Sequence, residues 1–260
     1  MKFADYRKYD AVGLAALIAK RQVSTKEVLE TAIARAEQVN PSINAIIHKQ
    51  YEQARTAATH GLPKGPLTGV PFLIKDLAFF EPGEPATFGS SLFKDYVADH
   101  ESAYVTRCKK AGLVFMGRSS TPEFGLNPNT EPRLYGSCRN PWNVAYSAGG
   151  SSGGAAAAIA AGILPMAHAT MAVAQFVYQQ RSAGFSASSH RAGAFQWHRT
   201  PARDGAVCPL VTSSAAACAI LQSCSIARQD SSPAIPMPHR HPNTRSRNPS
   251  NDRRADSESR

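Results

Sequence analysis

Two groups of residues in this 260-residue chain are of the types and placement that could do chemistry together. Residues 149–154 read Gly-Gly-Ser-Ser-Gly-Gly and run directly into Ala-Ala-Ala-Ala-Ile-Ala-Ala-Gly, a serine-bearing turn that opens a helix of small residues. Upstream, Lys75 ends the apolar run Gly69-Val70-Pro71-Phe72-Leu73-Ile74-Lys75-Asp76-Leu77. Burial disfavours the charged form of a lysine, and a neutral amine can take a proton from a serine hydroxyl. The pair therefore points to serine chemistry driven by lysine. Lys75 also has an ordinary explanation as a strand-end lysine whose ammonium reaches water, and position along the chain does not decide between the two. A glycine-serine turn before a helix can cradle phosphate. The Walker form, however, ends in Gly-Lys-Ser/Thr, and Gly153-Gly154-Ala155 stands there instead, which argues against nucleotide binding.

The elements that must position these residues alternate between helix and strand. Ser24-Thr25-Lys26-Glu27 has the Ser-x-x-Glu form of a capping box, and Val28, Leu29, Ala32, Ile33 and Ala36 recur at helical spacing until Asn40-Pro41. A shorter helix is expected over Val12 to Lys20, a strand at Asn44 to Ile47, a helix from Tyr51 to Ala58 and a buried strand from Val70 to Ile74. Ser102 to Ala111 reads as a helix ended by Gly112, and Leu113 to Gly117 as another strand. Residues 127–143 form a long polar connection of the kind that lines sites. Gly153 to Ala161 is a helix too poor in bulky side chains to pack at ordinary distance, so it must lie tight against a sheet. The alternation favours an α/β layered fold.

Composition bounds the rest. Hydrophobic residues make up 43% of the chain, enough for a buried core. The formal charge of +10 is uneven: residues 1–170 carry 10 Lys and 8 Arg against 14 acids, whereas residues 171–260 carry 11 Arg and no Lys against 5 acids. Five cysteines (Cys108, Cys138, Cys208, Cys218 and Cys224) show no CxxC spacing, and the start of the chain has no signal-peptide pattern. A reduced, cytoplasmic chain is the expectation. No apolar run is long enough to span a bilayer, so no membrane partner is expected. His190, His198, His239 and His241 lack a second ligand pair, which argues against a metal site.

Four stretches around the two motifs occur in one order: Leu67 to Asp76; Gly117-Arg118-Ser119-Ser120-Thr121-Pro122-Glu123-Phe124; Glu131 to Gly136 with Arg139 to Asn143; and Gly149 to Gly162. Together they resemble the amidase signature family, hydrolases that cleave carboxylic amides with a serine, a second serine in a cis peptide, and a lysine. The resemblance covers residues 5–170 and corresponds to the N-terminal part of the family's single α/β domain. It implies an incomplete amidase-signature fold over residues 1–170, a mixed sheet covered by helices, with an exposed sheet edge. Carried over residue by residue, Lys75 matches the base and Ser151 the cis-peptide serine that relays protons. Ser152 matches a supporting serine, grouped with Gly149 and Gly150 as substrate-binding positions. The resemblance implies a small-molecule amide as substrate and neither a metal nor an organic cofactor. The amidase component of a tRNA-dependent amidotransferase, which requires a partner subunit, is an alternative within the family.

Beyond Ala169-Thr170 the family pattern stops. The nucleophilic serine is expected 24 residues after the relay serine, within Asp-Gly-Gly-Gly-Ser-Ile-Arg, and Gln175 stands at that position. The glycines whose N–H groups would form the oxyanion hole are replaced by Ala172, Val173 and Ala174. Codons for Met171 to Gln180, read from one base earlier, can encode Asp-Gly-Gly-Gly-Ser-Ile-Arg-Ile-Pro-Ala, which puts the missing serine at 175. The same shift turns Ser186 to Phe195 into a possible Leu-Gly-Leu-Lys-Pro-Ser-Arg-Gly-Arg-Val. A reading frame displaced by one base near Thr170 is therefore expected, with residues 171–260 an out-of-frame, largely disordered tail rich in Arg, Ser and Pro and outside the family pattern. A basic arm that binds nucleic acid is the competing reading. Aromatics such as Phe185, Phe195 and Trp197 do not interleave regularly with the arginines, and this argues against it.

Overall fold

The computed structural model describes residues 1–170 and the short strand Leu210–Thr212. The N-terminal helices form where the caps require them. α1 (Phe3–Tyr6) is a single turn, and α2 (Ala11–Ala19) starts at Asp10, whose carboxylate accepts from Gly13 N. α3 (Thr25–Ile43) opens with the expected capping box, Ser24 and Glu27 each satisfying the other's backbone N–H. It does not stop at Asn40-Pro41 but runs on to Ile43. Proline in the last turn forfeits only one helical bond, and the Asn40 amide ties the exit by accepting from Ala45 N and Ile46 N and donating to Ile46 O. Asn44 then closes the helix in the left-handed conformation.

β1 (Ile46–Lys49), α4 (Tyr51–His60), β2 (Pro71–Lys75), α5 (Ala103–Lys110) and β3 (Val114–Ser119) follow close to their expected places. β1 sits two residues later than the pattern Asn44 to Ile47 indicated, because Asn44 and Ala45 are spent on leaving α3. The sheet is mixed, in the order β1-β3-β2, with β3 antiparallel to β1 and parallel to β2. Every residue of β2 and β3 is buried, as expected for strands covered on both faces. The connection 127–143 holds a feature not anticipated, the start of a two-stranded hairpin of β4 (Arg139–Asn140) and β5 (Asn143–Ser147). Trp142, Val144 and Tyr146 stand exposed along it.

α6 (Gly153–Ala160) packs against β2, β3 and β6 (Met166–His168). A helix apolar on all sides belongs in the interior, and Gly153 to Ile159 are all buried. A side-chain carbon on Gly154 would collide with Ser120 N and lie 2.7 Å from Ala45 O, so only glycine permits this approach. β6 lies beside β2 and pairs antiparallel with β7 (Leu210–Thr212). The architecture is thus the expected α/β arrangement of a mixed sheet covered by helices. The rest of the tail from 171, with Gln175 and Ala172 to Ala174, lies outside the described residues. Among the described residues no helix is long and apolar enough to cross a membrane, and no group of three His, Cys, Asp or Glu is placed to hold a metal ion.

Candidate active site

The end of β2 delivers Lys75 to the serine turn that precedes α6. Lys75 is fully buried, so the strand-end reading with its ammonium in water does not hold. Its Nζ lies 2.8 Å from Ser151 Oγ, 3.0 Å from Ser152 Oγ and 2.8 Å from Thr170 Oγ1. The Gly150–Ser151 peptide bond is cis, the geometry that the resemblance implies for a relay serine. Ser152 Oγ donates to Thr170 O at 2.7 Å and accepts from Thr170 N at 3.1 Å, which fixes the residue just after β6.

Neighbouring threonines hold the turn in place. Thr121 Oγ1 donates to Ser151 O, and Thr130 Oγ1 donates to Gly149 O while accepting from Gly153 N. Gly150 packs against the backbone of Asn127 and Pro128. Gly149, Gly150 and Ser152 are all buried, with Ser152 turned inward to Lys75 and Thr170. A neutral amine here would have Ser151 Oγ–H as a donor within reach of its lone pair, the arrangement needed for a proton relay.

Two more buried polar groups flank Lys75. Asp76 accepts from Thr87 N, Thr87 Oγ1 and Gly89 N, so its carboxylate points away from the amine into a loop. His168 Nδ1 accepts from Lys75 N at 3.3 Å, and its ring packs edge-on to Phe79 and beside Tyr104. Burial, then the charges of Lys75 and Arg118, hold the His168 imidazole well below its ordinary value, so the ring is neutral. The neutral form with an accepting Nδ1 carries its proton on Nε2, which has no partner among the described residues. Clefts between α1 and α3 and around Asn44 and Arg139 lie away from this cluster.

The family model for amidases matches residues 27–171, more than half of the chain. The chain belongs to the amidase family. It is 44% identical over 161 residues to a 6-aminohexanoate-cyclic-dimer hydrolase of Paenarthrobacter ureafaciens, covering 61% of this chain and 32% of that protein. It is 40% identical over 163 residues to a glutamyl-tRNA(Gln) amidotransferase subunit from Thiobacillus denitrificans, covering 60% of this chain and 33% of that protein. The solved structure of a 6-aminohexanoate cyclic dimer hydrolase superposes with a TM-score of 0.59 at 42% identity, over 62% of this chain and 33% of that one. This amidase-family chain therefore spans about a third of the length of the relatives it matches.

Sequence reasoning brought Lys75, Ser151 and Ser152 to one place but missed Thr121, Thr130, His168 and Thr170. Thr130 lay within a stretch noted only as polar connection, and Ala167-His168-Ala169-Thr170 has no periodicity that marks a strand. The usable signal was the ordered match itself, which already extended to residue 170.

Proposed function

We propose that this chain is the N-terminal part of a serine amidohydrolase in which Lys75 is the base and Ser151 the proton relay, and that as it stands the chain has little or no amidase activity. In the intact protein the Lys75 amine takes a proton through Ser151 from a nucleophilic serine, whose oxygen attacks the amide carbonyl. The amine leaves with a proton, and water then releases the acid and restores the serine. Gly149, Gly150 and Ser152 shape the floor on which the amide sits. The observation that carries this reading is the buried contact of 2.8 Å between Lys75 Nζ and Ser151 Oγ.

Inactivity follows from Gln175 at the position of the nucleophile, and the cause is a reading frame displaced near codon 170. The family match running as far as residue 171 supports a break there. The protein is cytoplasmic, needs neither metal nor organic cofactor, and takes a small-molecule amide rather than nucleic acid.

The test has two parts. Sequencing the DNA around codon 170 should find one displaced base, and an unbroken family frame overturns that part. Repairing the frame should produce hydrolysis of a simple aryl amide that Lys75→Ala abolishes. Turnover by the unrepaired chain that vanishes with Lys75→Ala would contradict its inactivity, and turnover by the repaired protein that survives Lys75→Ala would contradict the role of the lysine. The 40% identity to an amidotransferase component favours a second reading, in which the repaired protein supplies ammonia to a partner subunit. Stable co-purification with a partner, with glutamine as substrate, would favour it.

A further inference from the structure

Near the serine turn, the loops around Phe88 and Phe124 form an aromatic wall. Phe88 and Phe124 both take left-handed backbone conformations, with φ of 56° and 53°. Bulky residues rarely adopt these values, and where they do the surroundings hold them for a reason that often lies in function. The two are coupled: Phe124 N donates to Phe88 O at 2.8 Å, and their ring centroids are 6.3 Å apart. Phe93 meets both rings, at 5.2 and 6.0 Å. Ser90 Oγ donates to Glu123 Oε1, a second latch between the same loops.

This wall adjoins the candidate site. Thr121, three residues before Phe124, donates its hydroxyl to Ser151 O. A side-chain carbon on Gly125 would lie 3.9 Å from Ser151 Cβ and 3.2 Å from Leu77 Cδ2. Phe124 and Leu126 flank Gly125 in the chain, and they are 41% and 81% exposed. Large apolar side chains grouped in the open beside a buried polar centre are expected of a ligand surface.

We propose that Phe124 and Leu126, backed by Leu77, Phe88 and Phe93, form the apolar wall of the amide site and select amides that carry an aromatic group next to the scissile bond. This rests on the amidase reading and adds the class of substrate to it. Binding of an aromatic ring needs no nucleophile, so the chain as it exists can be tested.

Ligand-observed NMR titrations of the full chain with benzamide, acetanilide and acetamide supply the measurement. At least one aromatic amide should bind about tenfold more tightly than acetamide, the expected return for covering part of a ring. Stronger binding of benzamide places the ring on the acyl side, and stronger binding of acetanilide places it on the amine side. Phe124→Gly removes the ring while suiting the left-handed backbone, so the loop keeps its conformation. It should lower the affinity for the aromatic amide about tenfold more than that for acetamide. Equal affinities for all three, no measurable binding of any, or an aromatic preference that survives Phe124→Gly would each overturn the proposal. None of these outcomes touches the amidase reading, which depends on turnover by the frame-repaired protein.

Discussion

Adjacent strands bury two basic side chains at neighbouring positions, and their surroundings differ. In the register of β2 and β3, Ile74 pairs with Arg118 and Lys75 with Ser119. Lys75 is surrounded by side-chain hydroxyls at hydrogen-bonding distance. Arg118 donates from Nη1 to Phe79 O, while its Nε and Nη2 find no partner among the described residues. Burial pushes the Arg118 guanidinium down from its ordinary value, and the carboxylates of Asp76, Glu81 and Glu84 oppose that push. The lysine is set against hydroxyls that can exchange protons with it, and the guanidinium against a field of carboxylates. A buried basic group is therefore not by itself a sign of chemistry; the kind of oxygen beside it decides.

Four experiments put that contrast at risk. The largest effect is expected from Lys75→Met in the frame-repaired protein, where hydrolysis should fall by about 10⁴-fold, the scale on which removing one member of a catalytic unit acts. A loss below tenfold in initial-rate assays would put Lys75 in the same class as Arg118.

Gly154→Ala comes next, because the added carbon meets the backbone of Ser120 and Ala45. Forcing α6 off β3 should cost about 3 kcal/mol in urea unfolding, the upper part of the range for overpacking. Unchanged stability would mean that the serine turn is not pinned by this approach.

Arg118→Met should cost about 2 kcal/mol of stability, through the lost charge-assisted bond to Phe79 O. The frame-repaired variant should stay within about tenfold of the parent in turnover, since a structural cation acts only indirectly. A catalytic loss matching that of Lys75→Met would erase the distinction.

The smallest effect is one of pH. The folded state holds His168 neutral, whereas the unfolded chain protonates it below about its ordinary value of 6.5. Stability from this group is therefore complete above that pH and is lost as pH falls below it, by up to about 1.4 kcal/mol per unit for one proton. Denaturation midpoints from pH 7.5 to 5.5 should show this slope, and His168→Leu should flatten it. An identical slope in the variant would mean that the imidazole does not titrate on unfolding.

Much of the scaffold was legible because its signals are local. The capping box at Ser24, the apolar run ending at Lys75 and the small residues of α6 each report their own element within a few positions. The passage of α3 through Pro41 was not legible, because the rescue comes from the Asn40 side chain folding forward onto Ile46. At the site, Lys75 and the turn at Ser151 were readable as separate motifs and as a family pattern. Thr170 and His168 were not, since they meet Lys75 across 95 and 93 positions and nothing in their own neighbourhood announces the contact. The full burial of Arg118 depends likewise on what covers β3 from both sides.

The bonds between Ser152 and the backbone of Thr170 have a practical consequence for engineering. Whatever polypeptide is joined after position 170 leaves from a residue already clamped at both its N–H and its C=O to the serine turn. A grafted or corrected continuation would inherit its heading from that clamp, so the upstream part would need no redesign to receive it.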